Sequence, residues 1–343
     1  MIIDVARCLV NKSILVCIVC FIPSLVHAQI GGRHSFDFLN VPDNARLAAL
    51  GGVNVSLPDR ELNFFYSNPA LISDSLTGWG SAGYQFYLAG IGLSTFSYAH
   101  PFKKIGTLSM GVRHMGYGTI EGYDPTGVYT GDFKAGETAL VVSKSHQLSH
   151  FRFGVNLKAV FSSIAGYRAS AMLIDLGGVF IHPEQQLYAG LVIRNLGFLL
   201  REYSPTSQST LPFDVQVGLT FKPEDMPLRF SITAYHLTRA DIAYDDPNDE
   251  NEERGILDGV LRHFNFGAEI LLHRNFNVLF GYNYLIHKEL RLERAGGGSG
   301  VCLGVSGRIK SFEFTFSRNS YIVGTAGYTF TLTTDIKKMM TRR

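Results

Sequence analysis

FRFGVNLKAVFSS, residues 151–163, alternates along its whole length. Phe151, Phe153, Val155, Leu157, Ala159 and Phe161 fall on one side of an extended chain. Arg152, Gly154, Asn156, Lys158, Val160 and Ser162 fall on the other. A period of two sends successive side chains to opposite faces of a strand, so this stretch reads as a strand with one strongly apolar face. It is also long. Soluble sheets favour strands of about five or six residues, whereas a strand that crosses a bilayer needs about nine to eleven.

The same pattern recurs outward from it. Val215, Val217, Leu219 and Phe221 alternate with Asp214, Gln216, Gly218, Thr220 and Lys222; Phe312, Phe314 and Phe316 alternate with Ser311, Glu313, Thr315 and Ser317; Phe276, Val278, Phe280, Tyr282 and Tyr284 form another apolar row. The periodicity predicts about fourteen strands, near 79–88, 90–100, 105–117, 134–147, 150–163, 167–181, 186–198, 212–222, 227–239, 262–272, 275–286, 300–309, 311–319 and 322–333. Their connections fall into two alternating sets. One set is short (100–104, 148–149, 182–184, 223–226, 273–274 and 310), and the other holds the long ones (118–133, 199–211, 240–261 and 287–299). A soluble β-sandwich also alternates, so periodicity alone does not separate the two architectures. The segregation does, because an antiparallel barrel puts alternate turns on opposite rims, with short periplasmic turns and long external loops. The expected fold is all-β: an antiparallel transmembrane β-barrel of about 14 strands over 78–334, with both chain ends on the periplasmic, short-turn side.

In front of the strands lies an irregular stretch, NARLAALGGVNVSLPDRELNFFYSNPALISD, residues 44–74. Gly51-Gly52 and Asn68-Pro69-Ala70 break it, and Phe64, Phe65 and Tyr66 cluster between the breaks. Residues 29–77 are expected to form an N-terminal segment and plug that enters the barrel from the periplasmic side. Short helices are expected at 59–66 and 69–73, with Asn68 as N-cap and Pro69 at the first helical position. Phe36, Phe38 and Leu39 would dock on the barrel or pack with the plug. Arg46, Gly51, Gly52, Asn68, Pro69 and Ala70 are its motif residues.

Residues 1–28 read as a secretory signal: Arg7 and Lys12, an apolar run from Ser13 to Ile22, and Val26-His27-Ala28 before the expected cleavage at Gln29. The apolar run is shorter than the ~20 residues of a spanning helix. Three of the four cysteines, Cys8, Cys17 and Cys20, leave with this segment, and Cys302 alone makes no internal disulfide. Charged residues are only 17% of the chain, below the usual quarter, and the net charge of +2 argues against a nucleic-acid partner. The remainder has no run of 18 apolar residues, which excludes a helical membrane protein. Lys337, Lys338, Arg342 and Arg343 give residues 335–343 the character of a basic periplasmic tail.

Catalytic chemistry finds no constellation. The acidic residues of loop 240–261 lack calcium-loop spacing and read as a solvated loop, with ILDGVLRH (256–263) as a short amphipathic helix. The histidines are scattered. No catalytic residue, metal or cofactor is expected, and the protein is read as a non-enzyme. Tyr123, Asp124, Tyr203, Tyr244, Asp245 and Asp246, on the long loops, are the candidates for contact with a surface partner.

FDFLNVPDNARLAALGG (36–52), YSNPALIS (66–73), LPFDVQVGLTF (211–221), LRFSITAYHL (228–237), RHFNFGAEI (262–270) and GYNY (281–284) resemble barrels related to the FadL fatty-acid transporters. Within these they are most similar to the PorV/PorQ group of type IX secretion, and there to the PorQ-like members. The resemblance runs over nearly the whole exported chain. It implies a fourteen-stranded outer-membrane barrel without catalysis that anchors a PorZ-like surface protein, beside PorU- and PorV-like components and outer-membrane lipid, including lipopolysaccharide, in the machinery that attaches cargo to lipopolysaccharide. The FadL-like plug motivates the alternative, a transporter or channel for hydrophobic molecules.

Overall fold

The computed structural model describes residues 34–57, 61–204, 209–243, 255–291, 298–322 and 324–341; the segment 1–28, expected to be a secretory signal, and Tyr244, Asp245 and Asp246 lie outside these. Among the described residues fourteen strands form one closed barrel. They are β1 (Trp79–Phe86), β2 (Gly92–Phe102), β3 (Gly106–Tyr123), β4 (Tyr129–Leu148), β5 (Phe151–Ile164), β6 (Tyr167–Ile181) and β7 (Gln186–Arg201). The second half comprises β8 (Asp214–Lys222), β9 (Leu228–Ala234), β10 (Phe264–His273), β11 (Phe276–Asn283), β12 (Val301–Ile309), β13 (Phe312–Ile322) and β14 (Thr325–Asp335). Each strand pairs antiparallel with its sequence neighbours, and β1 closes on β14 from Trp79↔Asp335 to Phe86↔Tyr328. Closure leaves no sheet edge, which the hydrocarbon core requires of any spanning sheet.

All fourteen expected strands are present, and their connections keep the two-rim segregation. Three segments differ from expectation. The stretch 118–133 is mostly strand: β3 and β4 continue as a hairpin to a tight turn at Asp124. β9 stops at Ala234, where His236 takes a positive φ of 57°. β11 stops at Asn283, whose side chain accepts from Ile286 N and starts a helix. Side-chain capping there outcompetes the alternation that had suggested a longer strand.

The alternating faces sort as a membrane barrel demands. Leu140, Leu157, Phe161, Phe230, Phe280, Phe314 and Phe330 point outward and are exposed, while Arg152, Asn156, Lys158, Asp175, Glu269 and Thr331 point into the lumen and are buried. The described residues also form four short α-helices: α1 (Ala45–Ala49), α2 (Ile256–Arg262), α3 (Tyr284–Glu289) and α4 (Ile336–Thr341). No helix among the described residues is long and apolar enough to cross a membrane; the strands do so. The polar inward rows would be costly around an empty dry lumen. They are matched by the plug, residues 34–57 and 61–77.

The first described residues of the plug lie at the rim opposite the one from which the segment is expected to enter. His34 bridges to Thr210, and Ser35 N donates to Thr210 O at 2.9 Å, in the β7–β8 connection on the long-loop rim. At its other end Thr77 Oγ1 lies 2.6 Å from Thr107 Oγ1, and Gly78 N donates to Ala99 O, next to the short-turn rim. The chain therefore threads the lumen from the long-loop rim down to β1, and only its C-terminal end lies at the short-turn rim. The alternation of short and long turns sets the side on which β1 begins and holds no information about the segment before it.

Candidate functional site

The plug and the lumen wall form the candidate site. Its first part, 34–43, sits under the long loops. A 3-10 turn at Asp37–Asn40 buries Phe38 and Leu39. Phe36, just before it, is buried in an αL conformation with φ 67°, a strain that costs a bulky residue of order 1–3 kcal/mol. These side chains belong to one apolar cluster that includes Leu93, Met115, Val160, Ala169, Ala171 and Leu173 in the long-loop halves of β2, β3, β5 and β6, and that continues down the lumen to Phe65, Tyr66, Ile72 and Leu76 of the later plug. Wall arginines hold the turn by its carbonyls. Arg113 Nη2 donates to Phe38 O and Val41 O, both at 2.8 Å, and Arg194 Nη2 donates to Leu39 O at 2.9 Å. Cations suit the carbonyl end of a helical turn. At the rim, His34 Nδ1 lies 2.6 Å from Thr210 Oγ1, and the imidazole also contacts Arg239. Burial, then the Arg239 charge, lowers the His34 pKa below its ordinary value.

The second part, 44–77, is tied far more heavily. Asn44 caps α1 by accepting from Leu47 N, and the helix turns Arg46 onto the wall. Arg46 Nε and Nη2 each lie 2.8 Å from Glu269 Oε1, while Arg229 Nη1 lies 2.6 Å from Glu269 Oε2. Glu269 is 2% exposed, and such a dry triad is costly to break by removing one member. The orphan carbonyls at the end of α1 are taken by wall asparagines: Asn319 Nδ2 donates to Ala48 O at 2.7 Å, Asn265 Nδ2 to Leu50 O at 2.8 Å and Val53 O at 2.7 Å, and Asn283 Nδ2 to Gly51 O at 3.2 Å. Gly51 and Gly52 both have φ 92°. A Cβ on Gly51 would also meet Asn265 Oδ1 at 2.1 Å. Asn68 caps the turn at Pro69–Leu71 through Ala70 N, 2.9 Å, and donates to Val55 O at 2.8 Å. The expected helices are thus 3-10 turns, Leu62–Tyr66 and Pro69–Leu71.

Wall glycines let the plug approach. A Cβ on Gly281 would sit 2.2 Å from Gly51 N, and one on Gly154 would sit 2.3 Å from the Pro69 carbonyl carbon. Between plug and wall near Asp43, Arg194 and Gln216 remains a polar cavity of about 10 Å³, room for roughly one water. A second buried network joins wall to wall: Lys158 Nζ lies 2.6 Å from Asp175 Oδ2 and donates to Asn195 Oδ1 at 2.8 Å. Asn156 links it to the plug through Phe65 O at 2.7 Å.

The motif residues Arg46, Gly51, Gly52, Asn68, Pro69 and Ala70 all lie on the plug within the lumen. What sequence reasoning missed is their wall partners. Within FNFGAE, the inward Asn265, Gly267 and Glu269 grip or admit the plug. The signal was legible as glycine, asparagine and carboxylate on the polar face of a strand. Among the loop candidates, Tyr123 and Asp124 stand at the tip of the β3–β4 hairpin, where Asp124 caps the turn and Tyr123 donates to Glu121. Tyr203 turns inward and donates to Ser162 Oγ at 2.5 Å. The loops carry a further ion-paired unit: Asp258 of α2 takes Arg262 at 2.8 Å, Tyr284 at 2.7 Å and Lys288 at 3.0 Å, which packs α2 on α3. Although burial raises it, these hydrogen bonds hold the Asp258 pKa below the usual carboxylate range.

No family model matches the sequence, and no curated protein matches it. Solved structures to which the chain is similar include FadL-family outer-membrane barrels. A deltaS2 mutant of the TodX monoaromatic hydrocarbon channel is 12% identical, with TM-score 0.48 over 87% of this chain and 98% of that one. A Pseudomonas aeruginosa FadL homologue is 11% identical, with TM-score 0.48 over 86% of this chain and 99% of that one. A Rhodopseudomonas blastica porin mutant is 8% identical, with TM-score 0.29 over 75% of this chain and 98% of that one. The fold assignment rests on the closed strand order and not on these likenesses.

Proposed function

We propose that this protein is an outer-membrane barrel that admits a small hydrophobic molecule from the long-loop side, with residues 34–43 as its gate. The observation that carries the reading is the apolar upper lumen. A water-filled barrel has no use for inward Leu93, Met115, Val160 and Leu173, and here Phe36 and Phe38 occupy the space they enclose. Displacement of the strained Phe36 turn bares an aromatic-sized apolar site beneath the loops, while 44–77 stays fixed. The signal-like N-terminus is consistent with export to that membrane. The test is a cross-link. His34→Cys with Thr210→Cys joins a pair already bridged. Cells carrying the oxidised double variant should lose uptake of a fluorescent fatty acid and regain it with reductant; unchanged uptake while oxidised overturns the reading.

A second reading is the non-enzymatic scaffold implied by the sequence resemblance, in which the loops anchor a PorZ-like protein of the type IX attachment complex. The ion-paired α2–α3 unit favours it, because it offers a rigid loop-side surface. A tagged barrel should then recover that partner from detergent extracts, and the 34–210 cross-link should leave recovery unchanged. A barrel that recovers no surface partner argues against it.

A further inference from the structure

The outward face of β3–β6 is not a uniform lipid-facing belt. Two hollows follow one another up these strands. The lower, about 570 Å³, is lined by apolar outward side chains such as Phe96, Leu140, Leu157 and Met172. The upper, about 860 Å³, lies toward the long-loop rim and is lined by Lys134, Arg168, Arg201 and His114. The strand registers place them in order. Leu140 pairs with Ala159 and Ala159 with Met172, in an apolar row. Two residues higher, Thr138 pairs with both His114 and Phe161, and Ser170 pairs with Arg201. The next row up pairs Gly116 with Gly136, Gly136 with Ser163, and Ser163 with Arg168. Gly116 and Gly136 carry no side chain to fill the upper hollow, and His114 Nδ1, 2.8 Å from Thr138 Oγ1, forms its floor.

The lining of the upper hollow holds three permanent cations and no carboxylate. The nearest acids on the extended hairpin, Glu121 and Asp132, are engaged by the hydroxyls of Tyr123 and Tyr129. From Leu140 to Lys134 is six residues, about 20 Å along a strand, so an acyl chain below and a charged head above fit a single molecule. The change from apolar to basic rows marks the level where hydrocarbon gives way to headgroups.

We propose that this groove is a site for a phosphorylated lipid of the leaflet on the long-loop side, with acyl chains against Leu140, Leu157 and Met172 and phosphate on Lys134, Arg168 and Arg201. Guanidinium groups match phosphate through paired N–H donors, and cations at this depth attract anionic headgroups. The site faces away from the lumen, so it stands or falls independently of the gate.

The test uses native mass spectrometry of the full barrel in neutral detergent, titrated with a bisphosphorylated lipid A. The comparison variant is Lys134→Ala/Arg168→Ala/Arg201→Ala, whose three side chains are exposed, and heat-modifiable migration confirms its fold. The wild type should retain the lipid, and the variant should bind about tenfold more weakly or worse. Dephosphorylated lipid A should bind both equally weakly, and inorganic phosphate should fail to displace the lipid. Equal retention by wild type and variant overturns the proposal, as does displacement by inorganic phosphate alone, which would mark an ion site and not a lipid site.

Discussion

Both halves of the plug bury large side chains in the lumen, but they are held by different physics. Residues 44–77 are joined to the wall by a dry ion triad, capped helical turns and asparagine side chains that take the α1 carbonyls. Residues 34–43 rest in an apolar wall, carry a strained Phe36 and depend on two arginines and a histidine at the rim. Removing one partner of a buried ionic contact strands a charge, whereas moving the upper turn loses apolar transfer energy and the Arg113 and Arg194 contacts to neutral carbonyls. The lower half is therefore expected to be a fixed stopper, and the upper half is the part able to leave.

The largest test of that contrast is Glu269→Gln. It removes the buried carboxylate that joins Arg46 to Arg229, with an expected loss of about 3–5 kcal/mol, read as an earlier loss of the heat-resistant band in gel migration. An unchanged melting point would remove the reason to call the lower half fixed. Gly281→Val forces a side chain against Gly51, and overpacking of this kind costs roughly 1–3 kcal/mol. It should raise protease access to the plug while the barrel stays closed.

A finer test compares two phenylalanines buried to the same 2%. Phe38→Gly loses a core side chain, about 3–5 kcal/mol. Phe36→Gly loses a similar contact but relieves the αL strain, so it should be milder by about 1–3 kcal/mol. Urea or heat titration of the two variants gives the difference, and equal losses would mean that the turn is unstrained. The smallest expected effect is pH-dependent. The His34 pKa is lowered in the folded protein, so the neutral form is the one folding favours. That contribution is fully present above the ordinary histidine value of about 6.5 and is lost as pH falls below it. Hydrogen exchange of 34–41, taken relative to 45–49 at each pH, should rise on acidification. A ratio that stays flat would release His34 from its part in holding the gate.

Much of this architecture was legible from local sequence. The alternation in Phe151–Ile164 survives intact in β5, and the predicted 167–181 is β6 residue for residue. Asn68-Pro69 behaved as its capping chemistry requires. The misreadings came where a local rule met a competing one: Asn283 starts α3 inside an apparently continuous apolar row. Asn195, with φ 57°, bulges β7 because its backbone N–H donates to Asp175. Asp175 lies on a neighbouring strand, so no window around Asn195 contains that information.

The sequence by itself determined the strands, which faces of them are apolar and which rim carries the long loops. All three follow from the two-residue period of an extended chain and the order of its turns. Only the tertiary structure decided that the plug threads the barrel from the long-loop rim, and that its two halves differ in how they are held. An irregular segment inside a lumen takes its course from distant partners. Arg46 meets Glu269, 223 residues away, and no periodicity relates positions so far apart.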